Sequence, residues 1–198
     1  MKKFTLILTV LMCTVLMFAF SSCEKSSIEV SMENVKGDPV AMLAKIDNKG
    51  DEDLAAKVTI NFYNADNEVI GSEVIEIPYF YAGDTVYDVI DFDMAYDSMD
   101  SSVETFEISD EAKSFYDNLT IDGDIDDKGV VSYRIGGGNG EEFSGYALVV
   151  YTNEDDKAIG YEFVQLKGKG IVEGKFKPFT KEAAGYMVSF HPYNMMAE

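Results

Sequence analysis

The chain has 198 residues and carries 36 acidic against 16 basic side chains, so its formal net charge at pH 7 is −20. Because an anionic protein repels phosphate backbones, this balance excludes nucleic acid as a partner. The chain contains one histidine, two cysteines and no tryptophan, and these counts limit the catalytic and metal sites that it can build.

Residues 1–22 predict a secretory signal. Residues 1–3 include two lysines, residues 4–20 are an uncharged apolar run, and two small serines precede Cys23. This order resembles the lipobox of bacterial lipoproteins, although Phe20 stands where an aliphatic residue is usual. The resemblance implies that Cys23 is lipidated and that the protein is anchored in the bacterial cell envelope, facing outside the cytoplasm. An ordinary cleaved signal and an uncleaved membrane anchor are the alternatives.

The cysteine count fits lipidation. Cys13 lies inside the signal, so Cys23 is the single cysteine of the mature chain and no disulfide can form within it. Residues 23–27 then form a short tether to the first strand. The membrane is therefore an expected partner, through the N-terminal lipid.

An internal repeat organises the rest of the chain. An offset of 89 residues aligns residues 28–77 with 117–166 without a gap, with eight identities and matching apolar positions. The phrase "TINFYNADNEVIGSE" (59–73) returns as "LVVYTNEDDKAIGYE" (148–162). A repeat of this length indicates a duplicated domain.

Within each copy the apolar residues alternate, which is typical of strands. Val58, Ile60 and Phe62 alternate with polar residues, and the Asn- and Asp-rich segments that follow predict a β-hairpin turn in each copy. Later strands are expected in four segments. They are 84–91, 103–108, 170–177 and 185–191.

These strands predict an all-β protein with two tandem immunoglobulin-like β-sandwich domains. The first domain is expected at 28–108 and the second at 117–193. The polar segment 109–116 predicts a linker with a short helical turn, and residues 194–198 a tail.

The hairpin phrase is similar to a known domain. "VTINFYNADNEVIGSE" (58–73), with "AKIDNKGDEDL" (44–54) before it, resembles the FxLYD-type domain of bacterial cell-surface lipoproteins. The family residues fall on Ile46, Asn48, Phe62, Tyr63, Asp66, Ile70 and Gly71, and in the second copy on Ile135, Tyr151, Asp155, Ile159 and Gly160. Asn67 and Asp156 replace the usual turn glycine, and Thr152 breaks the aromatic pair. The resemblance implies a β-sandwich envelope module and no particular chemistry.

Two motifs suggest ligands but have simpler explanations. "GGGNG" (136–140) lacks the Lys-Ser/Thr and the helix of a P-loop, so it predicts a turn between strands. Asp122, Asp124 and Asp126 alternate as in a calcium loop, but the glycine and glutamate that such a loop needs are missing. They predict a solvated hairpin, with weak calcium binding as the alternative.

The sequence contains no recognisable catalytic centre. Any Ser–His pair or zinc site would depend on His191 alone, and no Gly-x-Ser-x-Gly turn presents a nucleophile. Carboxylates are too abundant to single out a catalytic pair. We therefore expect a non-catalytic protein without a cofactor and assign His191 no role.

Tyr79, Phe80 and Tyr81 are consecutive, so strand alternation cannot bury all three rings. The exposed rings predict a contact patch for an extracellular protein or glycan, although the absence of tryptophan weakens the glycan interpretation. The sequence thus predicts a protein- or glycan-binding lipoprotein. A calcium-dependent module, or an enzyme with an unrecognised site, is the alternative.

Overall fold

The computed structural model describes residues 27–35, 41–90, 94–126, 130–137, 142–176 and 183–193. The strands of the first half are β1 (Ile28–Val35), β2 (Ala41–Asn48), β3 (Leu54–Tyr63), β4 (Val69–Phe80), β5 (Thr85–Ile90) and β6 (Ser98–Phe106). A helix, α1 (Asp110–Asp117), is followed by β7 (Leu119–Ile125), β8 (Val131–Gly137), β9 (Glu142–Thr152), β10 (Ala158–Lys169), β11 (Ile171–Lys175) and β12 (Gly185–Pro192). The protein is therefore mostly β, as the alternation predicted.

The described strands form four antiparallel sheets of three strands each. In the first half the sheets have the orders β1–β2–β5 and β4–β3–β6. In the second half the orders are β7–β8–β11 and β10–β9–β12, which is the same pairing six strands later. The strand order therefore repeats along with the sequence.

The repeated phrase specifies a hairpin with one conformation in both halves. Asn67 and Asp156 have φ angles of 60° and 56°, and Asn and Asp tolerate this left-handed conformation better than most residues. Beyond the turn, both hairpins carry a β-bulge, in which Ile70 and Ile159 are the extra residues. Gly71 and Gly160 therefore occupy equivalent positions.

The side chains that close each turn are also equivalent. Asn64 Oδ1 accepts hydrogen bonds from the backbone N–H groups of Asp66 (3.0 Å) and Glu68 (2.9 Å). Asn153 Oδ1 accepts the same two bonds, both 3.0 Å long, from Asp155 and Lys157. The two turns share their sequence because the amide that accepts the backbone hydrogen bonds and the residue at positive φ must each occupy a fixed position.

The other predicted elements are close to their expected positions. The segments 84–91 and 170–177 contain β5 and β11, and 185–191 covers all of β12 except Pro192. The segment 103–108 holds only the end of β6, which begins at Ser98. The linker contains α1, where the Ser109 hydroxyl accepts a hydrogen bond from the Ala112 N–H at 3.1 Å and caps the helix.

Each pair of sheets encloses a core of alternating apolar side chains. In the first half, the largest buried members are Ile46, Val58, Ile60, Phe62 and Phe80. In the second half they are Val131, Ile135, Val149 and Tyr151. Burial of this apolar surface is the main source of stability for each half.

A third apolar cluster joins the two halves. Leu43 and Tyr87, on the outer face of the β1–β2–β5 sheet, pack with Leu148 and Val150, on the outer face of the β10–β9–β12 sheet. Strand β9 is consequently buried on both faces, and residues 147–151 are all buried. The outer face of one sheet in each half is thus enclosed by the other half.

Candidate functional site

A cleft of about 350 Å³ lies where the two halves face each other. Its walls come from edge strands, β4 and β5 of the first half and β7 and β12 of the second. Tyr116, near the end of α1, adds a ring to the lining. The cleft is therefore assembled from segments that are far apart in the sequence.

A β-bulge in β4 directs the tyrosines of the first wall. Strand β3 pairs Leu54 with Phe80 and Ala56 with Ile77, so two residues of β4, Pro78 and Tyr79, lie opposite one residue of β3. The extra residue resets the alternation, and Ile77 and Phe80 both reach the core. Tyr79 and Tyr81 remain on the outside.

This arrangement decides which part of the predicted contact patch is accessible. Phe80 is fully buried in the first core, so it cannot belong to an exposed patch. Tyr79 is half-buried and Tyr81 is 44% exposed. The prediction that alternation cannot bury all three rings is confirmed, and the accessible rings are Tyr79 and Tyr81.

Three tyrosines form a continuous aromatic cluster in the cleft. The ring centroids of Tyr79 and Tyr81 are 4.5 Å apart, and those of Tyr79 and Tyr116 are 5.3 Å apart. Tyr79 is held in place because its hydroxyl donates to Asp53 Oδ2 at 3.1 Å. The other oxygen of Asp53 accepts the Ala82 N–H at 2.8 Å, which ties the loop after Tyr81 to the same carboxylate.

The phenols of this cluster are neutral at physiological pH. Burial and the hydrogen bond to Asp53 raise the pKa of Tyr79 above its ordinary value. Burial and the negative charge of Asp117 raise the pKa of Tyr81, and burial raises the pKa of Tyr116. Each residue therefore presents an uncharged ring with an intact hydroxyl.

Carboxylates supply the formal charge of the cleft. Glu76 and Asp84 are part of its lining, and the described lining residues include no lysine or arginine. The carboxylates of Asp53 and Asp117 lie close enough to act on the tyrosines. The formal charges that act on Tyr79 and Tyr81 are therefore those of carboxylates.

Asn48 supports this rim from beneath. It is fully buried, and its Nδ2 donates to the backbone oxygens of Glu52 (3.1 Å), Phe80 (3.3 Å) and Tyr81 (3.1 Å). Its Oδ1 accepts the Gly50 N–H at 3.0 Å. One side chain thus joins the end of β2, the following turn and the end of β4.

The opposite wall contains the only histidine. Ser189 and His191 lie two residues apart in β12 and therefore on one face, with 2.9 Å between Ser189 Oγ and His191 Nε2. The His191 ring stacks on Tyr146, with centroids 4.6 Å apart and planes 1° from parallel. Burial lowers the pKa of His191 below its ordinary value, and the charge of Asp88 opposes that shift in part.

The nearby carboxylate is occupied by other donors. Asp88 Oδ1 accepts hydrogen bonds at 2.7 Å from both the Tyr146 hydroxyl and the Val89 N–H. A catalytic Ser–His pair needs a group that orients the histidine, and Asp88 holds Tyr146 instead. The arrangement fixes the His191 ring by stacking.

The pairing of Ser189 with His191 was missed in the sequence. The segment "GYMVSFH" (185–191) is predicted to be a strand, and a spacing of two on a strand predicts a shared face. That spacing places Ser189 on the same face as His191. Nothing local could place Tyr146, which lies on the neighbouring strand, β9.

The three alternating aspartates are exposed, and Asp122 and Asp124 belong to β7. Asp122 lies 3.9 Å from the guanidinium of Arg134, which also bonds Glu173 at 2.8 Å. A cation therefore already lies beside the first of these aspartates. Among the described residues, no group of three His, Cys, Asp or Glu side chains has the geometry of a metal site.

The Gly-rich segment is not simply a turn. Gly136 and Gly137 belong to β8 and pair with Thr120 and Leu119, so the strand extends into the segment for which a turn is predicted. A Cβ on Gly136 would collide with the Gly170 carbonyl, and this close approach requires glycine. Residues 138–140 lie outside the described part of the chain.

The predicted lipidation site, Cys23, lies outside the described residues. Among the residues that the structure describes, no helix has the length and apolar character needed to cross a membrane.

No known family model matches the chain, and no curated protein matches it. The resemblance to the FxLYD-type domain therefore stays a prediction that depends on the residues of the repeated phrase.

Proposed function

We propose that this protein is a non-catalytic lipoprotein of the bacterial envelope that binds a protein or glycan ligand. It consists of two tandem immunoglobulin-like domains, at 28–108 and 117–193, and its ligand occupies the cleft between them. The observation that carries the proposal is this cleft, in which Tyr79, Tyr81 and Tyr116 are gathered on one wall. Aromatic rings beside polar groups in a concave site are typical of ligand recognition.

The recurring strand order and the separate cores support the two-domain organisation. The interface between domains is a common place for a binding site, because neither domain alone can enclose the ligand.

The proposed lipid anchor follows from Cys23 and the apolar run before it. The tether of residues 23–27 reaches about 3.3–3.6 Å per residue when extended, so the first domain stays close to the bilayer. A single acyl chain binds membranes only marginally, but the several chains of a bacterial lipoprotein anchor it stably.

The anchor is tested by the Cys23→Ala variant. We expect it to accumulate as an unprocessed precursor or to leave the membrane fraction, whereas the wild type incorporates labelled palmitate. A Cys23→Ala protein that keeps its membrane association, together with a wild type that takes up no label, would show that the lipoprotein assignment is wrong.

The cleft is tested by screening the folded protein against a library of neutral, anionic and cationic small molecules, oligosaccharides and peptides. Binding should be weakened in Tyr81→Ala and kept in Phe163→Ala, which removes a ring that is 52% exposed on β10 and lies outside the cleft lining. If a ligand binds Tyr81→Ala as tightly as it binds the wild type, its binding site lies outside this cleft.

A second candidate function is a hydrolase, and the contact between Ser189 and His191 favours it. In that case His191 would accept the Ser189 proton as the hydroxyl attacks an ester carbonyl. A fluorophosphonate probe that labels the wild type but not Ser189→Ala would establish this function and overturn the non-catalytic proposal.

A further inference from the structure

The charge and the aromatic character of the cleft together specify a class of ligand. The ring of Tyr79 lies 4.5 Å from that of Tyr81 and 5.3 Å from that of Tyr116, and the formally charged residues in the described lining are Glu76 and Asp84. The face of an aromatic ring carries a negative potential that attracts cations. Rings and carboxylates therefore act in the same direction here.

The same charges disfavour other ligands. Phosphates and sugar acids would meet Glu76 and Asp84, and the described lining supplies no lysine or arginine to neutralise them. A neutral ligand would gain no charge attraction from the ring faces or the carboxylates. The formal charge of −20 extends this preference to the whole surface, because it attracts cations from a distance.

The far wall of the cleft has an apolar part beside Ser189 and His191. Leu119, Ile121, Met187 and Val188 contribute to it. It offers contact surface for alkyl groups opposite the tyrosines. The volume of about 350 Å³ lies at the small end of the range for small-molecule sites.

From these observations we propose that the ligand of the cleft is a small organic ammonium compound, with its cationic nitrogen against Tyr79 and Tyr81 and its alkyl groups against the apolar wall. This inference rests on the proposed function, since it names the chemistry of the ligand for that same cleft.

The test compares a cation with a neutral molecule of the same shape. Choline and 3,3-dimethyl-1-butanol differ in one atom, nitrogen or carbon, so isothermal titration of the full-length protein in detergent isolates the effect of charge. We expect choline to bind and the neutral molecule to bind at least about tenfold more weakly, because cation–π attraction and the carboxylates act on choline alone. Added salt should weaken choline binding.

Two pairs of variants locate the site. Tyr81→Ala should weaken choline binding about five- to tenfold, whereas Tyr81→Phe keeps the ring and should have little effect. Glu76→Gln should weaken it about threefold, and the matched control Glu173→Gln, on β11 and outside the lining, should leave it unchanged. Tyr81 is exposed, and a thermal melt of each variant verifies folding.

The outcomes distinguish the proposal of a cationic ligand from the more general proposal that the cleft is a binding site. Equal affinity for the two molecules, or Tyr81-dependent binding of an oligosaccharide or a peptide without choline binding, would overturn the cationic ligand and leave the cleft as a binding site. A protein that binds no member of the wider library would overturn both.

Discussion

At the rim of the cleft, the amide of Asn48 is fully buried and forms hydrogen bonds through both its oxygen and its nitrogen. A buried polar side chain of this kind is costly to remove, because its partners lose their hydrogen bonds without gaining water. The backbone of Asn48 is paired as well, since its N–H donates to Asp84 O and its oxygen accepts the Gly83 N–H. Asn48 is thus a positioning residue for the tyrosine rim.

We expect Asn48→Ala to lower the free energy of unfolding by about 2–4 kcal/mol, because several backbone groups are left unsatisfied. Asn61→Ala is the matched control. Its hydrogen bond to Asp100 is exposed, so its loss should cost less than about 1 kcal/mol. Urea unfolding monitored by tyrosine fluorescence measures both, and equal losses would contradict the role assigned to Asn48.

His191 makes stability depend on pH. Its pKa is lowered in the folded state, so below the ordinary value of 6.5 the unfolded chain binds more protons than the folded one. Stability from this residue is therefore complete above that pH and declines as the pH falls below it, with a slope of at most about 1.4 kcal/mol per pH unit.

The prediction is a comparison between the wild type and His191→Gln. Between pH 7.5 and pH 5, we expect the free energy of unfolding of the wild type to fall relative to that of the variant. Using the difference removes the contribution of the many carboxylates, which both proteins share. Parallel pH profiles would mean that the imidazole is not desolvated.

At the scale of elements, the repeated hairpin shows that a short phrase can carry a complete local structure. Asn64 and Asn153 each accept two backbone N–H bonds, and the residues at positive φ follow three positions later. The bulges after both turns lie at the same Ile-Gly pair. The two hairpins share both sequence and conformation because all these interactions are between residues close together in the chain.

We therefore expect Asn64→Ala and Asn153→Ala to destabilise the protein by similar amounts, about 1–2 kcal/mol each. Asp66→Ala and Asp155→Ala are the controls. Their backbone N–H groups make the bonds, so the free energy of unfolding should change by less than about 0.5 kcal/mol. Chemical denaturation measures the free energy of unfolding of each variant. A large loss for only one of the two asparagine variants would show that the two turns are not energetically equivalent.

At the scale of the whole molecule, the third apolar cluster couples the halves. Leu43 and Leu148 are fully buried although both lie on outer faces of their sheets. Glu33 Oε2 also accepts a hydrogen bond from the Ala158 N–H at 2.8 Å across this contact. The two halves therefore contact each other through both apolar packing and a hydrogen bond.

Leu148→Ala should cost about 2–5 kcal/mol, as expected for a buried leucine. Val74→Ala removes an apolar side chain that is 50% exposed, and it should change stability by less than about 0.5 kcal/mol. Calorimetry should show one unfolding transition for the wild type. Two well-separated transitions, with Leu148→Ala shifting neither, would mean that the contact does not couple the halves.

The sequence by itself determined the features that depend on neighbouring residues. Alternation indicated most strands, the Asn- and Asp-rich phrases indicated the hairpins, and the polar linker segment indicated the short helix. These signals are local, because a strand or a turn is specified within about ten residues. The repeat then predicted equivalent positions for Gly71 and Gly160, which the strand pairing confirmed.

Only the tertiary structure decided which faces meet and what lies between them. The run "ALVVY" (147–151) is apolar at every position, as is typical of a strand buried on both faces, but this pattern does not identify the sheet that covers the second face. Tyr81 and His191 line one cleft although 110 residues separate them. Such a site depends on packing between distant surfaces, and no local pattern records that packing.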